Sequence, residues 1–248
     1  MEQTTENKIT FVQQETAGFS IPQTLAWLAK EFPGKVTFSS SFSFEDQLIT
    51  HDILANNVPV SIFTLDTGRL FPETYSVWSS TLSRYGSPIK AYYPDAIHLE
   101  NFVEEKGPNA FYEAVENRKA CCHIRKVEPL KRALAGNAIW VTGLRAEHSA
   151  ARHDLQQFEW DPVNNVIKYH PILYWSTDEV RDYIKKNNIP YNPLHDKGFI
   201  SIGCAPCTRA VKPGEDFRAG RWWWEDADKK ECGLHEKPLE IVLENKIN

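Results

Sequence analysis

The chain has 248 residues, enough for one large domain with a substantial core. Hydrophobic residues make up 42% and charged residues 25%, the balance of a soluble globular protein. The formal charge of −5 rules out a global basic field for nucleic acid, and no apolar run approaches the ~20 residues that span a bilayer.

The start, MEQTTENKIT, lacks a basic region followed by an apolar run, so no secretory signal is expected and the expected location is the cytoplasm. Residues 1–17 read as a polar N-terminal arm. Residues 21–32 carry apolar side chains at helical spacing, with Pro33-Gly34 as a stop. Strands are predicted at 35–41, 60–68, 89–94, 138–143 and 166–172. Helices are predicted at 44–57, 72–86, 122–136 and 176–188, the third kinked or restarted at Pro129 and the last opened by a Ser/Thr cap. Strands alternating with helices indicate an α/β fold with a parallel sheet flanked by helices. The expected organisation is a nucleotide-binding α/β domain over 18–200 and an irregular C-terminal tail over 201–248, rich in Pro, Gly, Trp and charge.

Four of the five cysteines form two close pairs, Cys121-Cys122 and Cys204-Ala-Pro-Cys207. In a reducing compartment, paired cysteines more often bind metal or do redox chemistry than form disulfides. A Cys-x-x-Cys motif alone fits a redox dithiol, a zinc half-site or an iron–sulfur half-site. Adjacent side chains diverge, which is awkward on one zinc ion. A cluster offers separate irons to adjacent cysteines and is the preferred reading; buried, inert thiols are the bland one. Cys232 stands alone in the tail, near Lys229, Lys230 and His235. Nearby cations favour the thiolate, so Cys232 reads as a nucleophile, against an inert exposed thiol.

Three strand-end loops carry polar residues and glycine: SSSFSFED (39–46), LDTG (65–68) and TGLRAEHSAAR (142–152). In open α/β sheets ligands bind at the carboxyl ends of strands. A Ser-rich turn opening a helix can present N–H and O–H donors to an anion, although this one lacks a Gly-rich P-loop. Arg145 and Arg152 add cationic contacts, as do Arg125 and Lys126 beside the cysteine pair and Arg218 and Arg221 in the tail. Solvated surface charge is the alternative for each. Trp222, Trp223 and Trp224 read as packing for the tail.

The segments CCHIRKVEPLKRAL, TGLRAEHS, GCAPCTR, GEDFRAGRWWWE and ECGLH, in this order, resemble the assimilatory sulfonucleotide reductases. The two cysteine pairs are similar to those of adenylyl-sulfate (APS) reductases; reductases of the 3′-phosphorylated relative, PAPS, generally lack them and keep the tail cysteine. The resemblance covers residues from about 35 to 236. It implies an adenine-nucleotide α-hydrolase-like fold with a modified pyrophosphatase loop at the first strand. It implies a [4Fe–4S] cluster on Cys121, Cys122, Cys204 and Cys207, with Lys126 between cluster and substrate. It implies nucleotide contacts at Ser41, Ser43, Leu65, Gly143, Arg152, Arg218 and Arg221, and a catalytic Cys232 with His235 beside it. Phe44 departs from the family pattern, where a small residue is common, and so does Lys230. The implied activity is thioredoxin- or glutaredoxin-dependent reduction of adenylyl sulfate to sulfite and AMP, through an S-sulfocysteine on Cys232. PAPS reduction and a nucleotide-activating enzyme with structural zinc are the alternatives. No nucleic-acid or membrane partner is expected, and a homo-oligomer stays open.

Overall fold

The computed structural model describes residues 5–148 and 155–225, together with Leu234. Its centre is a six-stranded sheet in the order β3-β2-β1-β4-β6-β5. The strands are β1 (Val36–Ser39), β2 (Ser61–Leu65), β3 (Lys90–Tyr92), β4 (Ile139–Val141), β5 (Phe158–Asp161) and β6 (Val166–Tyr169). Five run parallel, and β5 pairs antiparallel with β6. The chain steps outward from β1 through β2 to β3, then returns to the other side of β1 at β4. That reversal opens a crevice beyond the carboxyl ends of β1 and β4, where open α/β sheets hold ligands.

Helices cover the sheet. They are α1 (Thr5–Glu15), α2 (Ile21–Glu31), α3 (Phe44–Ala55), α4 (Pro72–Tyr85), α5 (Ala96–Lys106), α6 (Val115–Cys122), α7 (Glu128–Leu134) and α8 (Thr177–Lys186). Local chemistry sets their ends. Ser20 with Gln23 and Ser176 with Glu179 form capping boxes on α2 and α8. Gly86 ends α4 at φ 65°, a left-handed position that favours glycine. The largest apolar cluster joins Leu25 and Leu28 of α2, Ile49 and Ile53 of α3 and Val180 and Ile184 of α8 to Phe38 and Val141 of the sheet. A second cluster joins Leu130 and Leu134 of α7 to Phe63 and Trp140, with Leu234 packed against it.

Two expectations change. Residues 5–15, read as a polar arm, are helical, and Val12 is fully buried in the main core. The helix predicted over 122–136 begins earlier, at Val115, and passes through a wide π-helical segment, His123–Val127, before α7. Pro129 explains the interruption: it lacks an N–H, and its ring conflicts with the carbonyl four residues back. Between residues 191 and 225 the chain is irregular, as expected, with short 3₁₀ turns at Pro193–Lys197 and Ala205–Cys207 and an isolated bridge between Thr208 and Arg221.

Candidate active site

A cleft of about 250 Å³ opens at the carboxyl ends of β1, β2 and β4. Ser41 and Ser43 line it from the β1–α3 loop, Leu65 from β2 and Gly143 from the turn after β4. The tail closes the cleft with Gly203, Arg218 and Arg221, and Lys126 enters from the π-helical segment. Leu234 lines it as well. Residues from five separate segments of sequence thus meet in one cleft.

The β1–α3 loop is tightly built. Phe42 is fully buried at φ 60°, stacked on Trp78 at 5.5 Å. A bulky residue in this left-handed region is strained, a condition that concentrates at functional sites. Phe44 fits without crowding the cleft, because its ring stacks on His195 at 4.1 Å and Tyr191 at 4.9 Å. Ser41 donates its N–H and its hydroxyl to Asp46 Oδ2, both at 2.6 Å. Gly143 is required by close approach: a Cβ there would lie 2.1 Å from Asp46 Oδ1.

Arg145 does not line the cleft. It is 1% exposed, and its guanidinium donates to Glu45, Glu147, Thr177 and the Trp175 carbonyl. It ties the turn after β4 to α3 and α8. Arg221, by contrast, lies across Gly203, where a Cβ would sit 2.5 Å from its terminal nitrogen.

The four paired cysteines are buried thiols, none in a disulfide, lining one cavity beside the cleft. Cys121 and Cys122 end α6, while Cys204 and Cys207 bracket a 3₁₀ turn. Cations surround the sulfurs. Arg125 hydrogen-bonds Cys121, and Arg118 hydrogen-bonds Cys122. Burial acts to raise the Cys204 thiol, but Lys126, the Thr67 hydroxyl at 3.3 Å, Arg221 and Arg125 hold it below its ordinary value. Burial, with Cys204 adding to it, pushes Cys207 up to about 12. Among the described residues, no three or more His, Cys, Asp or Glu side chains are placed to hold a single metal ion. The donor set fits a larger metal assembly: four sulfurs facing one cavity, cations around them, and buried donors at Arg125 Nε and Trp222 Nε1 that have no protein acceptor.

Trp222 closes this region and Trp224 packs half-buried against it, whereas Trp223 is 40% exposed. Trp222 is 1% exposed, and the guanidinium carbons of Arg118 and Arg221 lie 4.7 and 4.6 Å from its ring centroid. Glu225 forms a two-pronged buried pair with Arg118, at 3.0 and 2.8 Å. Lys126 and Cys204 line both the cleft and the cysteine cavity, so the two spaces share a wall.

Cys232, His235 and Arg152 lie outside the described residues. Sequence reasoning passed over Asp46, Thr67, Arg118 and Glu225 as site residues. Asp46, Thr67 and Glu225 stand inside segments that the sequence marks; Arg118, 107 positions from its partner Glu225, does not.

The family model of the phosphoadenosine phosphosulfate reductase domain matches residues 35–210. An adenosine 5′-phosphosulfate reductase from Burkholderia cepacia is 53% identical over 81% of this chain and 80% of its own length. One from Allochromatium vinosum is 49% identical over 82% of this chain and 79% of its own. The crystal structure of a phosphoadenylyl-sulfate (PAPS) reductase from Candida auris, a phosphate complex, superposes with a TM-score of 0.71 at 27% identity, covering 85% of this chain and 99% of that one. The matched span contains the first two cysteines, the Cys-x-x-Cys turn and every strand of the sheet, and the chain belongs to the oxidoreductase family of the adenosine 5′-phosphosulfate and phosphoadenosine phosphosulfate reductases.

Proposed function

We propose that this chain reduces adenylyl sulfate to sulfite and AMP, with two electrons drawn from a cytoplasmic dithiol protein of the thioredoxin or glutaredoxin type. The observation that carries this reading is the wall shared by the cleft and the cysteine cavity, made by Lys126 and Cys204. The relatives' names supply the substrate. The nucleotide lies along the strand ends, with Ser43, Leu65 and Gly143 beside it. Its phosphosulfate points to Lys126, Arg218 and Arg221, which hold the anion by charge-assisted hydrogen bonds.

Cys121, Cys122, Cys204 and Cys207 would hold a [4Fe–4S] cluster. When bound, it supplies a fixed charged centre that tunes the field at Lys126. The bond changes belong to Cys232. Leu234 lines the cleft, and Cys232 lies two positions before it with only Gly233 between, a tether of at most ~7 Å. The Cys232 thiolate attacks the sulfate sulfur. The bond from sulfur to the bridging oxygen breaks, and AMP leaves with the electron pair. Cys232 then carries a sulfo group. A thiolate of the donor protein attacks Cys232 Sγ, and sulfite leaves with the pair from the broken S–S bond. The donor's second thiol displaces Cys232 as thiolate, and the donor departs as its disulfide. One difficult reduction becomes three displacements. His235 and the tail lysines favour the thiolate.

The test uses anaerobically purified protein and adenylyl sulfate without a dithiol donor. About one AMP per chain should be released, with a mass gain of roughly 80 Da on Cys232 that thioredoxin reverses as sulfite forms. Continued reduction by Cys232→Ser, or an adduct on a paired cysteine, would refute the scheme. Replacing adenylyl sulfate with PAPS should give the slower reaction.

A further inference from the structure

The cleft assigned to an anionic nucleotide contains a buried acid. Asp46, in the first turn of α3, is 6% exposed and lines the cleft. Its Oδ2 accepts the Ser41 N–H and the Ser41 hydroxyl, and Ser43 adds a third hydrogen bond from its side chain. Its other oxygen is pressed against Gly143 of the neighbouring loop. Three donors of this serine turn, the Ser41 N–H, the Ser41 hydroxyl and the Ser43 side chain, are therefore already taken, and the occupant is a carboxylate of the protein itself.

This placement is costly. Burial raises Asp46 to about 6 against the opposing Ser41 hydrogen bonds, and the neighbouring Glu45 adds repulsion. No ion pair offsets the burial: among the described residues no Lys or Arg is bridged to Asp46, and the nearby Arg145 is committed to Glu45 and Glu147. Favourable placement of an acid in the first helical turn explains a carboxylate at this end of α3, but Glu45 already meets that need. It does not explain why Asp46 reaches back past the helix start to Ser41.

We propose that Asp46 determines specificity by occupying the anion subsite of the β1–α3 loop. The carboxylate bars nucleotides that end in a pyrophosphate. It leaves the cleft to nucleotides whose anionic group turns toward Lys126, Arg218 and Arg221. A phosphate entering the loop would meet like charge and find Ser41 without a free donor. Replacing Asp46 with a small neutral residue opens the subsite. The inference rests on the nucleotide reading of the cleft, which binding of AMP checks separately.

The experiment is calorimetric titration of the full-length, anaerobically purified protein with AMP, ATP and inorganic pyrophosphate, using wild type, Asp46→Ser and Asp46→Asn. Wild type should bind AMP and bind pyrophosphate and ATP weakly. Asp46→Ser should tighten pyrophosphate and ATP by roughly 10- to 150-fold, the range for gaining a charge-assisted hydrogen bond. Asp46→Asn is neutral but still accepts from Ser41, so it should gain less. A gain of affinity cannot come from misfolding, and if the serine variant does not fold, the asparagine variant must still show its smaller gain. Unchanged pyrophosphate affinity in both variants would overturn the proposal. An equal gain for AMP would also overturn it, since that reports general loss of negative charge and no opened subsite. Wild type that fails to bind AMP would remove the nucleotide reading itself, and the proposal with it.

Discussion

The pair between Arg118 and Glu225 links the helix that ends in Cys121-Cys122 to the tail that carries Trp222. Both side chains are almost fully buried, at 1% and 3% exposure, and the contact is two-pronged, with Nε to Oε1 at 3.0 Å and a terminal nitrogen to Oε2 at 2.8 Å. Glu225→Gln keeps the shape but removes the charge and turns an amide NH₂ toward a guanidinium donor. Breaking one side of a buried pair costs about 3–5 kcal/mol, because the partner stays buried without compensation. For a chain of this size each kcal/mol moves the melting temperature by ~2–4 °C, so a fall of about 6–20 °C is expected. Tryptophan fluorescence melts under anaerobic conditions read this directly, and iron content should fall with it, as the tail releases Cys204 and Cys207. A double-mutant cycle with Arg118→Met isolates the pair: the double variant should be more stable than the two single losses predict. A melting temperature within ~2 °C of wild type, or additive losses, would show that the pair does not hold the tail to α6.

Legibility followed period and punctuation. The strands β1 to β4 and β6 are apolar runs between turn signals, and α2, α3, α4 and α8 carry caps or stops in sequence. The missed elements lack those signals. Helix α5 has no fully buried residue; its apolar stripe, Leu99, Phe102 and Val103, is short and only half-buried, beside the Asp95 cap and the following Gly107. Strand β5, FEWD, is interrupted by Glu159 and Asp161 and so shows no apolar run between turn signals. Helix α1 is polar apart from a few positions, and the burial of Val12 depends on the rest of the fold. In the site, the two cysteine pairs were legible because each pair is close in sequence, and the fold brings all four to one cavity. The role of Arg145 was not. Its loop is distinctive, but its partner Glu45 lies 100 positions away, and only the folded chain shows the guanidinium turned from the cleft into the core. Asp46 stood in plain view within SSSFSFED, yet its return to Ser41 depends on the strained turn at Phe42.

Lys126→Ala and Arg221→Ala should each weaken use of adenylyl sulfate by roughly 10- to 150-fold, the loss of one charge-assisted contact; wild-type steady-state kinetics in both would misplace the phosphosulfate. Replacing Cys121, Cys122, Cys204 or Cys207 with Ser should lose iron and activity together, because hydroxyl binds iron far more weakly than thiolate; full iron content by elemental analysis would remove that residue from the ligand set. The last expectation concerns Asp52, away from the cleft. It is 2% exposed and accepts a hydrogen bond from Tyr183, and burial, partly opposed by that bond, raises it to about 6 from an ordinary 3.8. The fold therefore prefers the protonated form. Its contribution is full below about 3.8 and is lost as pH rises through about 6, leaving an ionised, buried carboxylate at neutral pH. A gap of about two pKa units corresponds to ~3 kcal/mol at most. Asp52→Asn keeps an acceptor for Tyr183 without the charge. It should raise stability at pH 7.5 by about 1–3 kcal/mol and leave it nearly unchanged at pH 4, so the difference between variant and wild type grows across pH 4 to 6. Urea unfolding at a series of pH values measures it. A difference independent of pH, or one that shrinks as pH rises, would mean that Asp52 is ionised at no cost in the folded protein.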